Sequence, residues 1–290
     1  MNAHPVIAVT GASGYVGDLI AKSLQPGATV LGLVRRPATA EQIRWSFGCD
    51  REALARELRA RGVTGLVHAA WDMSESSLGA LERGCVAGSR DLLAAAHEAG
   101  VGRLVFISTI SAFDGAKSAY GRAKLEVERA FLEAGGTVFR LGLVYGDPPG
   151  GAFATIDRAA RKGRIAPLIG DGAAPQYLVD AATVGAVAAR ALHGDFDGER
   201  QPITVASPEP IAFRELLRAI AASHGRRPIL APIPWRLLYF ALLTAERAGL
   251  RVGVKSDSIL SFVHQDPAPD FEPMRRLGIL PEPFRARAGA

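Results

Sequence analysis

The sequence predicts an α/β protein with a doubly wound parallel sheet and a small C-terminal lobe. Apolar runs alternate with amphipathic helical stretches through the first 146 residues, as in parallel strands joined by crossover helices. The runs are continuously apolar, which is typical of strands covered on both faces. Glycines follow several helical stretches, where a left-handed residue often ends a helix. We therefore expect six strands here: VIAVT, TVLGLV, IRWSF, GLVHAA, RLVFIST and TVFRLGLVY.

The second half of the chain has a different texture, with turn-rich stretches such as DPPGG and APLIGDGAAP. QYLVD and PITVAS still predict strands, and DAATVGAVAARALHG still predicts a helix. We therefore expect residues 1–150 to form the sheet domain, with elements around 175–207 returning to the sheet. Residues 151–174 and 208–290 are expected to form the smaller lobe over the sheet's C-terminal edge.

Composition excludes several classes of protein. The 290 residues are 48% apolar and 22% charged, which is typical of a folded globular chain. The longest apolar runs, such as LLYFALL, fall well short of the ~20 residues that span a bilayer. The net charge is +5, but acidic and basic residues are interspersed, so we expect no nucleic-acid partner. The N-terminus leaves no room for a signal peptide, and the two cysteines have neither metal nor disulfide spacing. We therefore expect a cytoplasmic protein without a membrane partner or a metal.

A glycine-rich turn joins the first strand to the first helix in VIAVTGASGYVGDLIAKSL. One glycine permits the tight turn, a second lets a pyrophosphate approach the backbone, and a third allows the helix to pack on the strand. The spacing G-x-x-G-x-x-G differs by one residue from the usual G-x-G-x-x-G. Its position nevertheless predicts a dinucleotide-binding (Rossmann) fold. The expected cofactor contacts are Gly11, Ser13, Gly14, Tyr15, Val16 and Gly17.

The end of the second strand indicates which dinucleotide binds. An acidic residue there would bond a free ribose hydroxyl, but this chain has Arg35 and Arg36, whose guanidinium groups suit a 2′-phosphate. We therefore expect NADP, with NAD as the alternative if the arginines are merely solvated. Asp50 either contacts the adenine or caps the following helix.

Tyr120 and Lys124 lie four positions apart at the start of the helix after RLVFIST. A phenol with a pKa of about 10 can exchange a proton with a substrate if its pKa is shifted, and a neighbouring ammonium lowers it. A hydroxyl at the strand end can orient the substrate oxygen. Ser108, Thr109 and Ser111 all lie where this hydroxyl is needed.

The motifs TGASGYVG, HAA, IST, YGRAK and RLGLVYG, in this order, resemble the extended, epimerase-like branch of the short-chain dehydrogenase/reductase superfamily. The resemblance implies that Thr109, Tyr120 and Lys124 are the catalytic set, with Ser108 and Ser111 competing for the role of Thr109. It also implies further cofactor contacts, which are His68, Ala69, Ala70 and Leu143. His68 lies inside a strand, so a hydrogen-bonded core histidine is the main alternative for that residue.

Departures from the family pattern narrow the substrate. Ile110 and Ser111 occupy the places of the acidic pair of sugar-nucleotide dehydratases, which argues against dehydration. Pro175 and Gln176 precede the aromatic Tyr177, where epimerases of the family carry an Arg for the substrate diphosphate. Cys85 replaces the family's Asn on the fourth helix.

The expected substrate contacts are Trp71, Ser111 and Tyr177, although core packing is an equal alternative for Trp71 and Tyr177. These features favour an NADP-dependent oxidoreductase that acts on a carbonyl or alcohol of a small molecule. The alternatives are an NAD(P)-dependent sugar or sugar-nucleotide epimerase and a non-catalytic cofactor sensor. The oligomeric state, including a homodimer, is left open.

Overall fold

A seven-stranded parallel sheet forms the centre of the computed structural model, which describes residues 4–161, 164–250 and 253–286. Its strands are β1 (Val6–Thr10), β2 (Thr29–Val34), β3 (Gln42–Arg44), β4 (Val63–His68), β5 (Arg103–Thr109), β6 (Thr137–Leu141) and β11 (Ile203–Val205). The short strands outside it are β7 (Leu143–Tyr145), β8 (Ile165–Ile169), β9 (Pro175–Gln176), β10 (Leu178–Asp180), β12 (Ile211–Ala212) and β13 (Ile229–Ile233). The central order is β11-β6-β5-β4-β1-β2-β3, so the doubly wound parallel sheet is confirmed.

The helices that cover and extend the sheet alternate with its strands along the chain. They are α1 (Tyr15–Leu24), α2 (Arg51–Ala60), α3 (Leu78–Leu81), α4 (Ala87–Ala99), α5 (Ala119–Glu133), α6 (Gly151–Arg161), α7 (Ala181–His193), α8 (Phe213–Ser223), α9 (Trp235–Arg247), α10 (Ser256–Val263) and α11 (Glu272–Arg276). A π-helical turn, Glu82–Val86, connects α3 to α4. None of the described helices is long and apolar enough to cross a membrane.

Both faces of the sheet are buried, which explains the continuously apolar strands. Val9 on one face packs in a core cluster with Ile20 of α1 and Val187 of α7. The neighbouring Ala8 faces the opposite cluster with Leu58 of α2 and Leu92 of α4. The strand order reverses between β1 and β4, and in such sheets ligands bind beyond the strand ends at this point.

The sequence predicts that TVFRLGLVY is one strand. In the structure this run forms two strands, β6 and β7. It divides at Gly142, so that β6 stays in the central sheet while β7 pairs with β10. A Cβ atom at Gly142 would lie 2.2 Å from the carbonyl oxygen of Tyr177, so only glycine permits this close approach of the two chains. The sequence after residue 142 therefore leaves the sheet and enters the second part of the molecule.

The C-terminal part combines a two-stranded β8–β13 sheet with α6, α8, α9 and α10. Its own apolar cluster includes Phe153, Leu178, Leu216 and Ile220. From the 175–207 region, β11 joins the central sheet, whereas β10 pairs with β7 outside it. Helix α10 packs directly on α5, which carries Tyr120 and Lys124.

Candidate active site

The glycine turn after β1 packs against the backbone of the segment that follows β4. Gly11 has a φ of +69°, and a Cβ atom there would lie 2.9 Å from both N and Cα of Ala70. A Cβ atom at Gly17 would lie 2.1 Å from the carbonyl oxygen of Gly11, so α1 begins in direct contact with the turn. Two of the three predicted glycines are therefore required by close backbone contacts.

The start of α1 has the features that a pyrophosphate site needs. Its N-cap residue is Gly14, which is exposed, and no side chain caps the helix. The N–H groups of the first helical turn and the positive end of the helix dipole are thus available to an anion. Ser13 is exposed beside them, and Val16 packs on the core beneath. These residues fit a dinucleotide.

Tyr15 lies under the loop that follows β7. A Cβ atom at Gly150 would lie 1.9 Å from Cδ2 of Tyr15, so the ring packs directly on the Gly150 backbone. The Tyr15 hydroxyl is buried and has no hydrogen-bond partner among the described residues. Burial raises the pKa of this phenol. The side chain therefore connects the glycine turn to the second part of the molecule.

His68, at the end of β4, is part of a buried hydrogen-bond chain. The Thr10 hydroxyl accepts from N–H of Ala69 and Ala70 at 3.1 Å each, so its own proton is donated to Nδ1 of His68 at 2.7 Å. Nε2–H of His68 then donates to the Ser89 hydroxyl at 2.8 Å. Burial lowers the pKa of His68 to about 3, so the ring is neutral. The imidazole is that of a core histidine, while Ala69 and Ala70 carry the backbone that faces the glycine turn.

The predicted adenosine contacts lie at the ends of β2 and β3. Arg35 and Arg36 are both exposed directly after β2. The Asp50 carboxylate accepts the N–H of Ala53 at 3.1 Å and caps α2, the second of its two predicted roles. Hydrogen bonds from Ser74 lower the pKa of Asp72, and the charge of Arg35 adds a smaller effect in the same direction.

The three candidate hydroxyls at the end of β5 have different partners. Ser108 donates to Oε1 of Glu128 at 2.5 Å, and that buried carboxylate is held by Arg140. Ser111 donates to the backbone of Ser261 in α10 at 3.5 Å. The Thr109 hydroxyl accepts the N–H of Ser111 at 3.2 Å, and its interaction with the Tyr120 phenol lowers the pKa of that phenol. Thr109 is thus the hydroxyl that the structure brings to Tyr120.

The Tyr120 phenol retains its proton at neutral pH. Burial raises its pKa to about 12, and this effect outweighs the opposing hydrogen bond from Thr109. The sequence predicts that Lys124 lowers the pKa of this phenol, but the shift is upward, because burial outweighs the lowering effect of Thr109. In this structure the Tyr120 phenol therefore carries a proton at neutral pH.

Lys124 is enclosed by aromatic rings one helical turn after Tyr120. Its Nζ lies 4.4 Å from the ring centre of Trp71 and 4.5 Å from that of Phe106, and it donates to the carbonyl oxygen of Ile107 at 2.8 Å. Burial lowers its pKa to about 7. The amine therefore lies close to its change of charge near neutral pH.

Trp71 connects the phenol to the chain beside the glycine turn. The Trp71 ring contacts Tyr120 edge-on, with the ring centroids 5.7 Å apart. Trp71 directly follows Ala70 in the sequence. Nε1 of Trp71 is buried without a hydrogen-bond partner in the described part of the chain. The Sγ atom of Cys85, in the π-helical turn, accepts the N–H of Asp72 at 3.4 Å. This hydrogen bond ties the segment around Trp71 to that turn.

The other two predicted contact residues, Tyr177 and Leu143, both touch neighbouring parts of the chain. Tyr177 is 9% exposed and packs on Phe271, with ring centroids 5.5 Å apart. Leu143 is half-buried and donates its N–H to the carbonyl oxygen of Tyr177 at 2.7 Å.

Sequence reasoning missed two residues of the site. Thr10 holds the Ala69–Ala70 backbone, and its place as the last residue of an apolar strand is the signal that could have indicated it. Asp257 bonds the backbone of Ala119 and Tyr120 from α10. No local pattern indicated Asp257, because its partners are more than 130 positions away in sequence.

Comparison with known proteins places this site in a family. The NAD dependent epimerase/dehydratase family matches residues 7–193, which include the glycine turn, Tyr120 and Lys124. A dihydroflavonol 4-reductase from Hordeum vulgare is 35% identical over 127 residues, 37% of this chain and 35% of the relative. A protein from Mycobacterium tuberculosis described as uncharacterized is 28% identical over 249 residues, 82% of this chain and 25% of the relative. The chain thus spans about a third or less of the length of these curated relatives.

The fold is also that of a solved epimerase. The UDP-glucose 4-epimerase from Thermus thermophilus, solved in complex with NAD, superposes with a TM-score of 0.65 at 23% identity. The superposition covers 89% of this chain and 97% of that one. The resemblance to extended short-chain dehydrogenases/reductases is confirmed by the family match. It belongs to the NAD dependent epimerase/dehydratase family.

Proposed function

We propose that this enzyme is an NADP-dependent oxidoreductase that reduces a carbonyl group of a small organic substrate, or oxidises the corresponding alcohol. The observation that carries the proposal is the proximity of Thr109, Tyr120 and Lys124 to one another. These three residues lie beside the segment that contacts the glycine turn. When bound, the nicotinamide cofactor supplies or accepts the hydride. The residues of this chain bind, orient and transfer the proton.

Tyr120 is the proton donor to the carbonyl oxygen in this proposal. Its raised pKa keeps the phenol protonated at neutral pH, which suits the reductive direction. The Thr109 hydroxyl orients the same oxygen. Lys124, whose pKa of about 7 allows it to carry a charge when solvated by a ribose, holds the cofactor and favours the phenolate left after proton transfer.

The preference for NADP rests on Arg35 and Arg36. Both are exposed at the end of β2, where a 2′-phosphate would lie in this class of fold. Guanidinium groups form strong, charge-assisted hydrogen bonds with phosphate oxygens. The solved UDP-glucose 4-epimerase was complexed with NAD, so the proposal of NADP depends on these two arginines of the present chain.

The second candidate is a sugar or sugar-nucleotide epimerase, which the solved UDP-glucose 4-epimerase favours. Two observations support the reductase instead. Gln176, in the place of a diphosphate-binding Arg, is buried and donates to the backbone of Ala174 and Pro175. Arg158, Arg161 and Arg164 could replace that Arg, and of these Arg161 is paired with Asp157 at 2.8 Å.

The test is absorbance at 340 nm with NADPH or NADH over a panel of aldehydes, ketones and sugar nucleotides. Net consumption of NADPH with a simple carbonyl is the expected result. Interconversion of a sugar nucleotide without net consumption would favour the epimerase. A chain that binds neither cofactor would contradict both, and one that binds a cofactor without any turnover would favour the sensor.

A further inference from the structure

Asp257 bonds the catalytic helix from a distant part of the chain. It is the second residue of α10, and only 8% of it is exposed. Its Oδ1 accepts the N–H of Ala119 at 2.8 Å, and its Oδ2 accepts the N–H of Tyr120 at 2.9 Å. Both oxygens of one carboxylate are therefore used by the first two residues of α5.

The first four N–H groups of α5 all have hydrogen-bond acceptors, but only two of them bond to a residue that is close in sequence. Ser118 caps Gly121 with its hydroxyl at 3.1 Å and Arg122 with its carbonyl oxygen at 3.2 Å. The N–H groups of Ala119 and Tyr120 have Asp257 instead. Because the first N–H groups of a helix have no partner within the helix, the loss of Asp257 leaves these two open and frays the turn that carries Tyr120.

Asp257 is itself held in place by neighbouring polar contacts. Ser256 donates its N–H and its hydroxyl to the carboxylate of Glu246 in α9, at 2.6 and 2.8 Å. Ser76, in the loop after β4, donates to the same carboxylate at 3.4 Å. The α9–α10 pair is thus tied to the chain on either side of the site, and Asp257 has a fixed position.

We propose that Asp257 is a positioning residue for Tyr120, through which α10 completes the active site. Its hydrogen bond with Tyr120 is to the backbone N–H, so it acts by fixing the direction of the phenol toward Thr109. Lys124 lies one turn further along and has its own contact with Ile107, so cofactor binding depends less on Asp257. The inference rests on the proposed role of Tyr120 as proton donor.

The test compares Asp257→Asn and Asp257→Ala with the control Asp180→Asn. Asp180 also caps a helix, accepting the N–H of Thr183 at 2.8 Å, but α7 carries none of the proposed catalytic groups. We expect faster amide hydrogen exchange at Ala119 and Tyr120 in both Asp257 variants, more so for Ala, because Asn keeps one acceptor oxygen. We expect kcat for carbonyl reduction to fall by about tenfold in Asp257→Asn, with the NADPH Kd within about twofold of the wild type.

Asp180→Asn should leave both the exchange of this segment and kcat unchanged. The inference is overturned if Asp257→Asn has wild-type exchange at these amides, or wild-type kcat, or a kcat loss matched by Asp180→Asn. If Asp257→Ala does not fold, Asp257→Asn alone decides. A wild-type chain that binds NADPH but reduces no carbonyl overturns the proposed function and the positioning role with it, whereas the exchange rates still decide whether Asp257 caps α5.

Discussion

The ammonium group of Lys124 lies 4.4 Å from the centre of the Trp71 ring. Only 3% of Lys124 is exposed, and its pKa is lowered to about 7 by burial. Burial of the Lys124 side chain costs stability, and the attraction of Glu128 offsets only part of this cost, since the pKa remains lowered.

Lys124→Met should stabilise the protein near neutral pH. The unfolded chain holds the lysine proton up to about pH 10.5, whereas the folded chain releases it above about pH 7, so wild-type stability rises with pH between these values. Methionine removes this dependence and should raise the free energy of unfolding at pH 7 by a few kcal/mol, on the order given by the pKa shift. The gain should shrink as the pH approaches 10.

Urea unfolding at pH 7 and pH 10 measures this difference. Lys22→Met is the control, because Lys22 lies on the surface of α1 in a pair with Asp18. Equal stability changes for both variants at both pH values would show that Lys124 is not desolvated.

The contact between α1 and the glycine turn predicts a second result. In Gly17→Ala the new methyl group would lie 2.1 Å from the carbonyl oxygen of Gly11, so the turn must open. We expect the NADPH Kd to rise at least about tenfold, because the N–H groups no longer converge on the pyrophosphate. Fluorescence titration with NADPH measures the Kd.

Gly27→Ala is the matched control, since a Cβ atom there has no neighbour within 4 Å. It should bind NADPH as the wild type does. Unchanged binding by Gly17→Ala would show that the turn is not the pyrophosphate site.

Features set by neighbouring residues were predictable from the sequence. The contact of Gly17 with Gly11 lies within one strand-turn-helix unit, and the spacing of these glycines reflects it. The contact of Gly11 with Ala70 joins the turn to a distant segment and could not be predicted locally. The strands appear as apolar runs because both sheet faces are covered. The division at Gly142 was not predictable, because it is caused by the approach of Tyr177, which is distant in sequence.

The candidate site shows the same limit. Tyr120 and Lys124 lie one helical turn apart, so their common position follows from local structure. The choice among Ser108, Thr109 and Ser111 does not, because it depends on Glu128 and α10 as partners for the two serines. The upward shift of the Tyr120 pKa also depends on burial by distant residues, which a sequence pattern does not reveal.

The arginine pair predicts cofactor selectivity. The double variant Arg35→Ser/Arg36→Ser should raise the KM for NADPH by about tenfold or more, because charge-assisted hydrogen bonds to the 2′-phosphate are lost. The KM for NADH should change little. A control of equal charge is Arg56→Ser/Arg275→Ser, which removes two exposed arginines from α2 and α11. A parallel loss for NADPH and NADH would contradict selection by a 2′-phosphate.

The central claim is that Tyr120 exchanges the proton with the substrate oxygen, and Tyr120→Phe tests it most directly. Phenylalanine keeps the ring against Trp71 and removes only the hydroxyl. Steady-state kinetics with NADPH and a reactive carbonyl should show kcat lowered by about 10²- to 10⁴-fold, with the NADPH Kd within about twofold of the wild type. A Tyr120→Phe enzyme that reduces the carbonyl at the wild-type rate would contradict the account.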